Sequence, residues 1–269
     1  MRRLLPLLPA CAAVLLAAPA QAQSRALYTS NGRANPYEII QGGAVTSTFG
    51  TNNNAYALAV GSSVQTYGIA PGAFGQEYTL GGSPVGPPSS NTPTICCFYD
   101  GGTDGTYNYS ASAFSGNDQV WRGGLDWSGM TPLFSIGFFA TGLTYDTGSN
   151  SIWLGEYNGA GSRIYQYALN GTLLSSFATA VTGDGVSALA YDQTDGTLWF
   201  ASYDQNATLY QYSTAGVQLN QVNVSGTSGG YLLGAEFQTE AFAAPEPASL
   251  VLLGTGLIGV AGMVRRRRA

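Results

Sequence analysis

The sequence predicts an all-β body, a β-propeller of about five blades with four antiparallel strands each, framed by an N-terminal signal helix and a C-terminal transmembrane helix. Three observations carry this. Glycine makes up 37 of 269 residues, tyrosine 17 and phenylalanine 11, while only 9% of residues are charged; such a chain suits short strands and tight turns and suits helices poorly. Two stretches align at an offset of 46 residues, GLTYDTGSNSIWLGEY from Gly142 and ALAYDQTDGTLWFASY from Ala188. A turn glycine recurs at 43, 82, 129, 171 and 216. A period of about 40–50 residues filled with short strands is the signature of propeller blades.

Within each unit the strands can be assigned in order. The LTY and LAY runs alternate as inner strands, and the Asp- and Gly-containing run that follows is hairpin chemistry. IWLGE and LWFAS form the next strand, whose Trp153 and Trp199 are expected to pack against a neighbouring blade. IYQYALNGTLL from Ile164 and LYQYSTAGVQL from Leu209 supply a third strand, a glycine turn and an outer strand. A third copy, CCFYDGGTDGTYNY, places Tyr99 and Asp100 two periods before Tyr191 and Asp192. Weaker copies start at Pro36, Tyr56, Gln76 and Leu125. The segment 24–49 lacks a first strand and GGYLLGAEF from Gly229 lacks the later ones, so the two together would complete one blade and close the ring, leaving no inner edge unpaired.

The ends read as delivery signals. Arg2 and Arg3, the apolar run 4–18 and the Ala20-Gln21-Ala22 cleavage site form a secretory signal peptide. At the other end Pro245-Glu246-Pro247 precedes an apolar run over 248–264, and Arg265, Arg266, Arg267 and Arg268 follow. Seventeen apolar residues span about 26 Å as a helix, and the arginine block acts as a cytoplasmic stop-transfer under the positive-inside rule. The expected organisation is therefore signal peptide 1–22, repeat body 23–242 and sorting and transmembrane tail 243–269.

That three-part tail resembles the PEP-CTERM sorting signal of exported bacterial proteins. The resemblance implies processing by an exosortase-type membrane protease after signal peptidase, and a bacterium with a two-membrane envelope, usually one that makes exopolysaccharide. It implies transient anchoring by the C-terminal helix, then a place at the cell surface or outside the cell. The repeat unit also loosely resembles NHL-like and gluconolactonase-like propellers, a likeness that bears on fold and not on activity.

Composition excludes much chemistry. Histidine is absent, and all ten basic residues are arginine, so His triads, His metal sites and catalytic or phosphate-binding lysines are ruled out. Setting the signal and tail aside leaves four arginines against fourteen acids, a body charge of about −10, which repels nucleic acid. Asp100, Asp104, Asp146, Asp192 and Asp195 could offer oxygens to calcium, but the same residues are what hairpin turns require; no other cofactor is expected. Cys96 and Cys97 are neighbours, with Cys97 expected in the core and a disulfide, either between the two or to another chain, as the alternative. Trp121, Trp127, Trp153 and Trp199 could stack on sugars, Trp127 being the best candidate for exposure. Glu38, Glu156 and Glu236 are the non-repeated acids that a glycosidase pair would draw on, though nothing in the sequence brings two of them together. The reading favours a non-enzymatic exported propeller that binds protein or polysaccharide of the extracellular matrix. The alternative is a secreted hydrolase or lactonase with its site in the central channel.

Overall fold

The computed structural model describes residues 25–239 apart from 33–35, 52–53, 114–117, 160, 182 and 204–206. The signal segment with Ala20 and Ala22, the Pro245-Glu246-Pro247 triplet and Arg265–Arg268 lie outside the described residues. Among the described residues no helix is long and apolar enough to cross a membrane.

The described residues form nineteen strands. The first blade is composite: β1 (Leu27–Asn31), β2 (Tyr37–Gln41) and β3 (Ala44–Phe49) are joined by β19 (Leu232–Phe237) from the far end of the chain, in the order β19-β1-β2-β3. The closing register pairs Leu27 with Phe237, Tyr28 with Glu236 and Thr29 with Ala235. The ring is thus completed by the two half-repeats. The second blade holds β4 (Ala55–Val60), β5 (Val64–Gly68) and a two-residue β6 (Glu77–Tyr78). The third contains β7 (Phe98–Thr103), β8 (Asn108–Ser112), β9 (Gln119–Gly123) and β10 (Thr131–Ser135). The fourth contains β11 (Ala140–Asp146), β12 (Ser151–Glu156), β13 (Arg163–Ala168) and β14 (Leu173–Ala178). The fifth contains β15 (Val186–Asp192), β16 (Thr197–Ser202), β17 (Thr208–Ser213) and β18 (Gln218–Asn223). A single parallel bridge, Thr141 to Ser187, links the fourth and fifth blades at their inner strands.

Four blades have the expected four strands and the second has three. Where its outer strand would lie, the chain reads SPVGPPSSNTP, and only an isolated bridge from Tyr78 to Pro84 remains. Proline cannot donate to a ladder, so Pro84, Pro87 and Pro88 prevent pairing there.

The core is divided among the seams between blades. Trp153, Val186, Leu198 and Phe200 fill the seam between the fourth and fifth blades, and Trp199, Leu209, Leu27 and Phe237 fill the one between the fifth and first. The recurring glycine explains how the blades approach. Gly216 has φ +85°, and a Cβ there would lie 2.6 Å from Phe177 on the outer strand of the preceding blade. Gly171 against Phe134, Gly82 against Phe49 and Gly43 against Val222 repeat the contact. Gly129 breaks the pattern, since a Cβ at that position would meet nothing within 4 Å. Its partner would stand on the outer strand that the second blade lacks.

That gap also corrects the expectation for Trp127. The residue is 2% exposed and stacks on Tyr67 of β5 at 4.9 Å. With no outer strand to cover the seam, the β9–β10 loop folds inward and Trp127 fills it. Trp153 and Trp199 are buried in the seams as their spacing predicts.

Candidate ligand-binding site

The five inner strands β19, β4, β7, β11 and β15 surround the channel, and their first residues meet at one mouth. Tyr56 and Tyr99 come from the starts of β4 and β7, Phe139 and Tyr231 precede β11 and β19, and Tyr157 and Tyr203 follow β12 and β16. Their rings form a continuous chain: Tyr56–Tyr99 at 6.2 Å, Tyr99–Tyr203 at 6.2 Å, Tyr203–Tyr231 at 6.3 Å, Tyr157–Tyr203 at 5.2 Å and Phe139–Tyr157 at 5.4 Å. A cavity of about 490 Å³ opens between Tyr56, Tyr99, Tyr203 and Tyr231, with Ile69 and Leu233 in its wall, a volume typical of small-ligand pockets. Burial and the surrounding tyrosines push the Tyr203 hydroxyl up to about 12, so it stays neutral and can both donate and accept.

Below the mouth a belt of hydroxyls joins successive blades. Thr141 donates to the Val186 carbonyl at 2.6 Å, Ser187 to that of Leu232 at 2.8 Å and Ser30 to that of Tyr56 at 2.6 Å. Asp100 lies on the axis beneath it. Its Oδ1 accepts the Gly101 and Ala235 amides, each at 2.9 Å, and its Oδ2 accepts those of Leu143 at 3.0 Å and Leu189 at 2.8 Å. One carboxylate therefore ties together inner strands of four blades. This corrects the reading of Asp100 as a turn residue. The hairpins show why: Thr103 pairs with Asn108 as Asp146 pairs with Ser151 and Asp192 with Thr197. The third copy is thus shifted by three residues, with Asp100 occupying the place of Leu143 and Leu189. Cys97 accordingly precedes β7, and is joined to Cys96 by a disulfide.

Glu236 is also buried in the channel, where the Thr144 hydroxyl donates to Oε1 and Oε2 at 3.0 and 2.8 Å and the Tyr191 amide donates to Thr144. Burial pushes both carboxyls upward. On Asp100 four amides oppose the push; on Glu236 the Thr144 hydroxyl is the main opposing group, and the Asp100 charge adds to the rise. Glu236 is therefore the member of the pair that keeps its proton.

The other repeated aspartates accept amides of their own turns. Asp104 accepts the Thr106 and Tyr107 amides, Asp146 those of Gly148 and Ser149, and Asp195 that of Thr197. Asp192 caps Thr194 and pairs with Arg25 at 3.0 Å. Among the described residues no group of three or more His, Cys, Asp or Glu is placed to hold a metal ion. Glu38 accepts from Ser228, and Glu156 from the Arg163 amide and the Tyr165 hydroxyl; neither is brought to Glu236. The tyrosines of the mouth are what the sequence reading missed. Their signal was present in Tyr157 and Tyr203, which coincide in the repeat.

The chain leaves the channel at the opposite end. The Thr239 amide donates to the Val60 carbonyl at 2.8 Å, and Arg25 holds the Gln238 carbonyl at 2.7 Å while bound to Asp192. Val60 and Asp192 are the last residues of β4 and β15.

The comparisons bear on both parts of the chain. A profile described as the PEP-CTERM protein-sorting motif matches residues 243–268. The tail is a PEP-CTERM sorting motif. It implies export, a membrane-anchored stage and exosortase-dependent sorting toward the cell surface. No curated protein matches the chain in sequence. A chain in the crystal structure of a nidogen/laminin complex superposes with a TM-score of 0.56 at 10% identity, over 80% of this chain and 99% of that one, a likeness of fold alone that agrees with the propeller. A Bacteroides caccae protein of unknown function has a TM-score of 0.48 at 14% identity, covering 77% of this chain and 76% of its own. Myxococcus xanthus glutaminyl cyclase has 0.45 at 13%, covering 81% and 79%.

Proposed function

We propose that this PEP-CTERM protein is a non-enzymatic propeller of the cell surface or extracellular matrix that binds polysaccharide at its tyrosine-lined mouth. One observation carries the reading: tyrosines from four of the five blades line a cavity of about 490 Å³ whose described lining has no charged side chain, and the fourth blade's Tyr157 packs against them through Tyr203. Aromatic faces bearing hydroxyls suit the alternating apolar and hydroxylated faces of sugar rings. Asp100 is not available as a general base in the channel. Both oxygens of Asp100 are saturated by amides, and a base needs a free lone pair within reach of the proton that it takes.

The test is retention of the detergent-solubilised full chain on insoluble polysaccharides, compared with Tyr99→Ala and Tyr231→Ala. Retention that both substitutions abolish, with unchanged circular dichroism, supports the reading. Equal retention of all three, or release of soluble sugar by the wild type, refutes it.

A further inference from the structure

We propose that the end of the channel from which the chain exits is the membrane-facing surface of the anchored protein, so that the tyrosine mouth points away from the lipid. This goes beyond the polysaccharide reading and does not depend on it. The inner strands all begin at the mouth, and Thr239 is fastened at the other end, its amide on Val60 and its hydroxyl on Thr103. Arg25 fixes the preceding residue from a second side through the Gln238 carbonyl. The last fastened residue is thus held on the rim opposite the mouth.

The apolar run of the sorting motif begins at residue 248. Eight residues, 240–247, separate it from Thr239, a reach of at most about 28 Å when fully extended. An inner strand of six residues is already about 20 Å long. To bring the mouth to the lipid the connection would have to run back along the whole body, leaving almost no length to reach the bilayer. The shorter path sets the exit rim toward the membrane.

The surface on that rim fits such a position without adhering to lipid. Its turns carry Asp104, Asp146, Asp192 and Asp195, each engaged by backbone amides. The arginines there are committed, Arg25 to Asp192 and Arg122 above the Tyr107 ring at 4.5 Å. An acidic rim is repelled by anionic headgroups, which would keep the body upright above the bilayer on its short connection.

Single cysteines read the orientation. Thr106→Cys and Ser62→Cys lie on exposed turns of the exit end, and Asn158→Cys on an exposed loop at the mouth. The full chain with its signal removed, each variant carrying a thiol-linked fluorophore, is reconstituted without reductant into phosphatidylcholine vesicles doped with a headgroup-labelled quencher. Thr106 and Ser62 should lose fluorescence while Asn158 does not, and adding phosphatidylglycerol should weaken the quenching at both exit positions. Quenching at Asn158 equal to or above that at Thr106 overturns the proposal. So does absence of quenching at all three positions, which would mean that the body stands beyond the reach of the lipid.

Discussion

Replacing Asp100 by asparagine removes an acceptor from the axis of the ring while keeping the shape of the side chain. In the wild type each carboxylate oxygen accepts two amides, at 2.8–3.0 Å. Asparagine has one oxygen; its amino group would face two N–H donors in either orientation. Two buried amides, from Gly101 and Ala235 or from Leu143 and Leu189, are left unsatisfied. At about 1–3 kcal/mol for each the gross loss is about 2–6 kcal/mol. Removing a buried charge returns part of that, leaving a net loss of about 2–4 kcal/mol. For a body of this size the loss corresponds to a fall in Tm of about 4–16 °C. Near-UV circular dichroism of the full chain during heating measures it. An unchanged or raised Tm for Asp100→Asn would mean that the cost of burying the charge exceeds the worth of its four amides, and that Asp100 does not clasp the blades.

Three further outcomes are expected. Because the Glu236 carboxyl is held above its ordinary value of 4.5, the folded state binds that proton more tightly than the unfolded one; the stabilisation is complete below about pH 4.5 and is lost as pH rises through the folded value. Glu236→Gln should therefore flatten the decline of Tm above pH 4.5 relative to wild type; since Asp100 is present in both, parallel profiles between pH 4 and 8 would refute the assignment of the proton to Glu236. Gly216→Ala combines a left-handed backbone with a Cβ 2.6 Å from Phe177 and should cost about 2–4 kcal/mol in urea unfolding, whereas Gly129→Ala, in open space, should cost only about 1 kcal/mol; equal losses would mean that the seam yields to the methyl group. In a host that carries an exosortase, the wild-type chain should yield a C-terminus near residue 246 by mass spectrometry and a chain lacking Pro245-Glu246-Pro247 should not; recovery of Arg265–Arg268 on mature wild type would leave a plain anchor.

The parts of this molecule that are legible in its sequence are those built from near neighbours. Gly171 and Gly216 mark hairpins whose two strands are adjacent in sequence, and the half-repeats at 24–49 and 229–242 announce the composite blade because each is incomplete alone. The clasp on Asp100 was not legible. Its donors Leu143, Leu189 and Ala235 lie 43, 89 and 135 residues away, and the run FYDGG imitates the TYD and AYD ends of the other inner strands closely enough to hide a three-residue shift. Trp127 was misread for a related reason: its burial depends on a strand that another blade does not have. The mouth was half legible, since Tyr157 and Tyr203 recur at blade spacing while Tyr56 and Tyr231 sit in the weakest copies.

The pairing of β19 with β1 has a consequence for the order in which an exported chain can fold. The chain crosses the membrane from its N-terminus, so β1, β2 and β3 reach the far side first and wait there without their innermost partner. Four blades can assemble behind them, each from contiguous sequence, yet the circle stays open until Leu232–Phe237 emerges. The sorting motif begins only a few residues later, at 243. Completion of the body and emergence of the sorting motif are thereby nearly simultaneous. A chain truncated before residue 232 would present an unpaired β1 edge and an axis missing the Ala235 amide. Proteases outside the cytoplasm would encounter such a product as an open arc, whereas the finished molecule offers them a closed one.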